Sequence, residues 1–122
     1  MPISIANQEA AEAPSVDVSA MRRSAAQATA FLRAIANEDR LLLLCQLTEG
    51  ERCVGELEAL TGIGQPTLSQ QLSVLRAESL VTTRRAGKFI YYGLGDERVP
   101  SMLAALQGLF CATSRPQRKG LR

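Results

Sequence analysis

Three groups of side chains in this 122-residue chain have types and spacings that can do chemistry. The first is the set of thiols, Cys45, Cys53 and Cys111. A thiolate is a nucleophile and a soft ligand, whereas an unactivated cysteine behaves as a small packed hydrophobe. The chain contains no His. That excludes His-based acid–base catalysis and every zinc or copper site built on imidazole. There is also no Cys-x-x-Cys and no glycine-rich phosphate loop, so a thiol peroxidase or sulfur transferase lacks its usual equipment. We therefore expect no enzyme, no cofactor and no metal site. The second group is Gln65, Thr67, Ser69, Gln70, Ser73 and Arg76, set in a stretch from Ala59 to Ala77 without a single carboxylate. A glutamine amide can pair with adenine in bidentate fashion, and hydroxyls reach bases or phosphates. The third is Arg84, Arg85 and Lys88, which suit phosphate or a minor groove. Each polar group has a plainer reading, as a solvated helix face or as a charged edge strand.

The elements that must position these groups follow from period and punctuation. Met21, Ala25, Ala28, Leu32 and Ile35 fall at alternating steps of four and three. This predicts a helix from about Val16 to Ala36 with a heptad-type seam, suited to a partner helix or to the chain's own core. Asn37 is a good N-cap, followed by Glu38 and Asp39 in the first turn. Leu41 to Leu44 make this second helix apolar nearly all round, so it should be central. A short third helix covers about Val54 to Leu60, ahead of Gly62 and Gly64. Pro66 opens a fourth helix running to about Glu78, with Leu68, Leu72 and Leu75 on one face and the second polar group opposite and beside it. Val81 to Arg85 and Phe89 to Leu94 then read as strands around Ala86-Gly87-Lys88, a hairpin with a basic tip. The last helix begins at Asp96 or Val99 and carries a stripe of Val99, Met102, Leu103, Leu106, Leu109 and Phe110.

A helix–turn–helix followed by a basic hairpin is a winged helix. The predicted class is therefore mainly α with a β-hairpin, in one domain over residues 15–113. A disordered tail is expected at 1–14 and a frayed basic tail at 114–122. An apolar content of 46% suffices for one small core, to which dimerisation would add stability. The net charge is only +2, but the charges are segregated. Residues 36–60 carry six acids and two bases, whereas residues 69–92 carry four bases and one acid. A basic face hidden in a nearly neutral chain is the footprint of a nucleic-acid binder. No apolar run reaches the roughly 18 residues of a membrane span. Glu9, Glu12 and Asp17 make the start of the chain acidic, unlike a secretory leader, and the expected compartment is a reducing cytoplasm. A winged helix used only for protein contacts would differ from a DNA binder in lacking steep salt dependence.

The run Gly62-Ile63-Gly64-Gln65-Pro66-Thr67-Leu68-Ser69-Gln70-Gln71-Leu72, then Val74-Leu75-Arg76 and Leu80-Val81, closely resembles the ArsR/SmtB family of bacterial winged-helix repressors. Thr82-Thr83-Arg84-Arg85 and Tyr91-Tyr92-Gly93-Leu94 continue the likeness, which covers about Phe31 to Cys111. The resemblance implies a homodimer joined through first and last helices, here Met21, Ala25, Ala28 and Leu32 with Leu103, Leu106 and Phe110. It also implies a palindromic operator that is released on induction. Two family metal sites are broken: Cys53-Val54-Gly55 stands where the family has Cys-Val-Cys, and the site on the last helix needs His. Cys45, in Leu44-Cys45-Gln46-Leu47-Thr48-Glu49-Gly50, and Cys111, after Leu109-Phe110, instead resemble the sulfide-responsive branch. That likeness implies a dithiol that persulfide or polysulfide links by a bridge of several sulfurs, releasing DNA. The alternative inducer is arsenite or another thiophilic metalloid, held by Cys45, Cys53 and Cys111. Ser79 stands where relatives place the Gly that closes the fourth helix in the left-handed conformation.

Overall fold

The computed structural model describes residues 17–110. The expected tails at 1–14 and 114–122, and Cys111 itself, lie outside the described residues. Among these, five helices and one three-stranded antiparallel sheet follow in the order α1 (Val18–Ile35), α2 (Glu38–Leu47), β1 (Arg52–Cys53), α3 (Val54–Thr61), α4 (Thr67–Ala77), β2 (Val81–Ala86), β3 (Phe89–Leu94) and α5 (Arg98–Phe110). The chain divides into two units at Arg33–Ala34. The first contains most of α1, whose start is set by Asp17: its Oδ2 accepts from the Ala20 N–H at 3.1 Å. The expected start at Val16 is two residues early.

The second unit holds the winged helix. Asn37 caps α2, its Oδ1 accepting from the Arg40 N–H at 3.0 Å, with Glu38 and Asp39 in the favourable first turn. Leu43, Leu44 and Leu47 are buried, but Leu42 is exposed and Leu41 half-buried, so α2 is central on one side only. Gly62 ends α3 at a φ of 77°, its N–H donating to the Glu58 carbonyl at 2.9 Å. Pro66 is the N-cap residue of α4 rather than a member of its first turn. Leu68, Leu72 and Leu75 of α4 are buried and join Leu43, Leu44, Leu57, Leu80, Val81 and Val99 in a core of aliphatic side chains.

The end of α4 follows a defined closing pattern. Ser79 takes a φ of 63°. Its N–H donates to the Arg76 carbonyl at 2.9 Å and the Leu80 N–H to the Leu75 carbonyl at 2.9 Å. These are the two crossed bonds of a Schellman motif, and the accompanying apolar pair, Leu75 and Leu80, is buried. Ser79 thus takes the left-handed conformation although it is not the Gly that relatives place there, and it turns the chain directly into β2.

The wing is larger than the expected hairpin. β2 pairs with β3 from Val81↔Leu94 to Ala86↔Phe89, with Gly87 at a φ of 62° in the two-residue turn. On the other side of β3, Arg52 and Cys53 pair with Tyr92 and Tyr91. This two-residue strand places β3 in the centre, in the order β1-β3-β2. It is too short to leave a periodicity in the sequence. After β3, Asp96 Oδ1 accepts from the Arg98 N–H at 2.8 Å, an Asx turn that starts α5.

Candidate nucleic-acid interface and thiol positions

Helix α4 is held by its leucines, and this fixes what it shows to solvent. With Leu68, Leu72 and Leu75 buried, Ser69, Gln70, Ser73 and Arg76 are exposed on the remaining surface, and Thr67 is half-buried. The sequence-predicted reading residues are thus brought onto one outward helix, with the shorter polar groups toward its N-terminal half. Gln65 has a second task. Its Oε1 accepts from the Ser69 N–H at 3.1 Å, filling part of the first-turn deficit that Pro66 cannot fill with a side-chain cap. Gln71 lies at the edge of the outward surface, half-buried, and its Oε1 accepts from Arg40 Nη1 at 2.7 Å. Sequence reasoning missed this link because it joins positions 31 apart.

The three basic wing residues do not form one patch. Successive strand residues face opposite sides of a sheet, so Arg84 and Arg85 point apart. Lys88 sits in the turn with its Nζ 5.6 Å from the centre of the Phe89 ring. Arg85 and Lys88 are exposed. Arg84 is exposed as well, but its guanidinium makes a two-pronged pair with Glu51, with Nη2 to Oε1 at 2.7 Å and Nε to Oε1 and Oε2 at 3.0 and 3.2 Å. Its carbon centre lies 5.2 Å from the centre of the Tyr91 ring. Hydrogen bonding from Arg84 holds the Glu51 carboxyl below the usual carboxylate range, and Glu51 raises Arg84 in turn. Phe89 and Ile90 are exposed near the tip.

The thiols occupy separate elements. Cys45 is half-buried in the last turn of α2, where its carbonyl accepts from Thr48 Oγ1 at 2.6 Å. Cys53 is half-buried at the N-cap position of α3, and its N–H donates to Glu56 Oε1 at 2.9 Å. Cys53 is therefore built into a helix start. Among the described residues, no three Cys, Asp or Glu side chains gather closely enough to hold a metal ion. Nor is any described helix long and apolar enough to cross a membrane.

The seam on α1, Met21, Ala25, Ala28 and Leu32, is exposed in the single chain. On α5 the expected interface residues separate. Leu103 is buried with Val99 in the core, Leu106 is half-buried, and Phe110 is exposed beside an exposed Leu109.

Comparison with known proteins gives this arrangement a context. Residues 37–83 match the family described as bacterial regulatory protein, arsR family. A biofilm growth-associated repressor of Agrobacterium fabrum is 44% identical over 80% of this chain and 83% of its own length. The crystal structure of the transcriptional repressor BigR from Xylella fastidiosa is similar with a TM-score of 0.74 and 44% identity, over 80% of this chain and 99% of that one. Reduced HlyU from Vibrio cholerae is similar with a TM-score of 0.72 and 38% identity, over 77% of this chain and 99% of that one.

Proposed function

The chain belongs to the arsR family of bacterial regulatory proteins, a transcriptional repressor and not an enzyme, and from that premise we propose that it is a homodimer that binds operator DNA while Cys45 and Cys111 are reduced. The observation that carries the DNA-binding part is the division of α4: three leucines buried, and Ser69, Gln70, Ser73 and Arg76 exposed on a surface free of carboxylates. A helix presented this way enters a major groove with its N-terminal half toward the bases. Thr67 and Gln65 flank that half, and Arg85 and Lys88 follow on the wing. The exposed α1 seam and the exposed end of α5 support the dimer, which sets two reading helices about 34 Å apart for a palindromic site.

The inducer in this reading is a persulfide or polysulfide. The Cys45 thiolate attacks a sulfane sulfur and becomes a perthiol chain; Cys111 then attacks that chain and expels hydrosulfide. With hydrogen tetrasulfide, two thiols give one bridge with two inserted sulfurs and two molecules of hydrogen sulfide. The two electrons lost by the thiols are taken up by the polysulfide. A bridge of four sulfurs spans a wider gap than the roughly 7 Å limit between Cα atoms for a disulfide. Closing it changes the geometry in which α2 and α5 support the reading helices. The bridged repressor leaves its operator, and sulfide-detoxification genes are expressed.

The test is the intact mass of the reduced protein after a polysulfide donor, alongside Cys45→Ser and Cys111→Ser. A gain of two sulfurs with loss of two thiols, absent in either variant and accompanied by release of operator DNA, supports the reading. A bridged protein that keeps its operator affinity sinks it. Because Cys53 holds a helix N-cap, Cys53→Ser is the control, since serine caps a helix well. The alternative inducer, arsenite held by Cys45, Cys53 and Cys111 together, is disposed of by reduced wild-type protein that keeps its operator in arsenite.

A further inference from the structure

Resting on the DNA-binding reading above, we propose that Glu51 limits how many phosphates the wing engages: it acts as a built-in phosphate surrogate that keeps Arg84 out of the wing's contacts with the DNA backbone. Glu51 immediately precedes β1 and reaches across β3 to Arg84 on β2. Gly93 opens the way. A Cβ at that position would stand 3.3 Å from Glu51 Cγ and 3.7 Å from its Oε2, so any side chain there would crowd the carboxylate's path. Register places Thr82 opposite Gly93 and Arg84 opposite Tyr91. Gly93, Tyr91, Thr82 and Arg84 therefore share one face of the wing.

An isolated exposed ion pair is weak and would yield to the dense charge of DNA. This one has three constraints beyond simple proximity. The carboxylate takes the guanidinium by two nitrogens, Nε and Nη2 both donating to Oε1 and Nε also to Oε2, and so occupies donors that a phosphate would otherwise use. The Tyr91 ring lies against the same guanidinium. The Glu51 stem is seated over Gly93, on the strand that β1 ties into the sheet. Arg85, on the other face, and Lys88, at the turn, have no carboxylate pair among the described ion pairs. The wing thus keeps two cations for the backbone and withdraws a third. Fewer phosphate contacts lower affinity about equally on all sequences and flatten its salt dependence, while the base contacts of α4 are left to discriminate between sequences.

The experiment is the salt dependence of binding by the reduced full chain to random-sequence duplex DNA, for the wild type, Arg84→Ala, Arg85→Ala, Glu51→Gln and the double variant Glu51→Gln/Arg84→Ala. Each phosphate contact contributes about −0.9 to the slope of log K against log salt. Arg84→Ala should leave the wild-type slope unchanged, and Arg85→Ala should flatten it by about 0.9 per protomer. Glu51→Gln should steepen it by about 0.9 per protomer, with several-fold tighter binding at low salt. The double variant should return to the wild-type slope, which assigns the gain to Arg84 and not to the mere loss of a negative charge. A flattening by Arg84→Ala in the wild-type background, or a Glu51→Gln gain that survives in the double variant, overturns the proposal. A wild type that binds no DNA removes instead the reading on which the proposal rests.

Discussion

Arg40 and Gln71, on α2 and α4, are joined by a 2.7 Å hydrogen bond from Nη1 to Oε1, and the same guanidinium donates from Nε to the Ala34 carbonyl at 2.6 Å. One side chain therefore bonds the Ala34 carbonyl in the last turn of α1 and holds α4 at Gln71, next to Gln70. A charge-assisted hydrogen bond of this kind contributes about 1.5–3 kcal/mol. Arg40→Met, which keeps much of the apolar stem, should lower the unfolding free energy by about that amount in urea titration. It should also weaken operator binding. Arg40→Lys should recover only part of either, because an ammonium cannot present the guanidinium's fork to both acceptors.

Gln70 is exposed on the outward surface of α4 and has no structural duty like that of Gln65 or Gln71. Gln70→Ala should cost about 1–3 kcal/mol of operator affinity and leave random-sequence affinity and thermal stability unchanged. Competition between operator and random duplex, read by fluorescence anisotropy, checks this. Equal losses on both duplexes would move Gln70 to the phosphate contacts.

Ser79 holds a φ of 63° that costs an L-residue about 1–2 kcal/mol. Ser79→Gly keeps both crossed bonds of the α4 terminus, because they use only backbone groups. It should stabilise the protein by about 1 kcal/mol, a rise in melting temperature of about 4 °C by calorimetry. Ser79→Val should lower it.

Asp96 starts α5 through its bond to the Arg98 N–H and pairs with the Arg98 guanidinium at 2.6 Å. The side-chain hydrogen bonds from Arg98 are the main cause of its lowered pKa. A carboxylate held below its unfolded value, near 4, contributes its full stability above that value. The contribution is lost as pH falls through the folded-state pKa. Asp96→Ala should therefore cost about 1 kcal/mol at pH 7, and the difference from wild type should vanish in strong acid. Urea titrations across pH 2–7 measure it; a constant difference at all pH values would contradict the ionic origin.

What the sequence determined by itself is everything ruled by short-range sterics and period. Leu68, Leu72 and Leu75 marked the buried face of α4 and so the outward side of Ser69, Gln70 and Ser73. Asn37 marked a cap. These features depend on neighbours within a turn or two, which a linear pattern records. Only the tertiary structure decided which distant polar side chains meet. Glu51 and Arg84 are 33 residues apart, and Arg40 and Gln71 are 31 apart. The first meeting depends on strand order and register, including a two-residue β1 too brief to leave any alternation, and the second on the packing of α2 against α4. The seam on α1 read equally as core or as interface, because a period says that a face is apolar and not what covers it. Leu103 shows the same limit on α5: the stripe was legible, but its division between a buried inner end and an exposed outer end follows from where the helix meets the core.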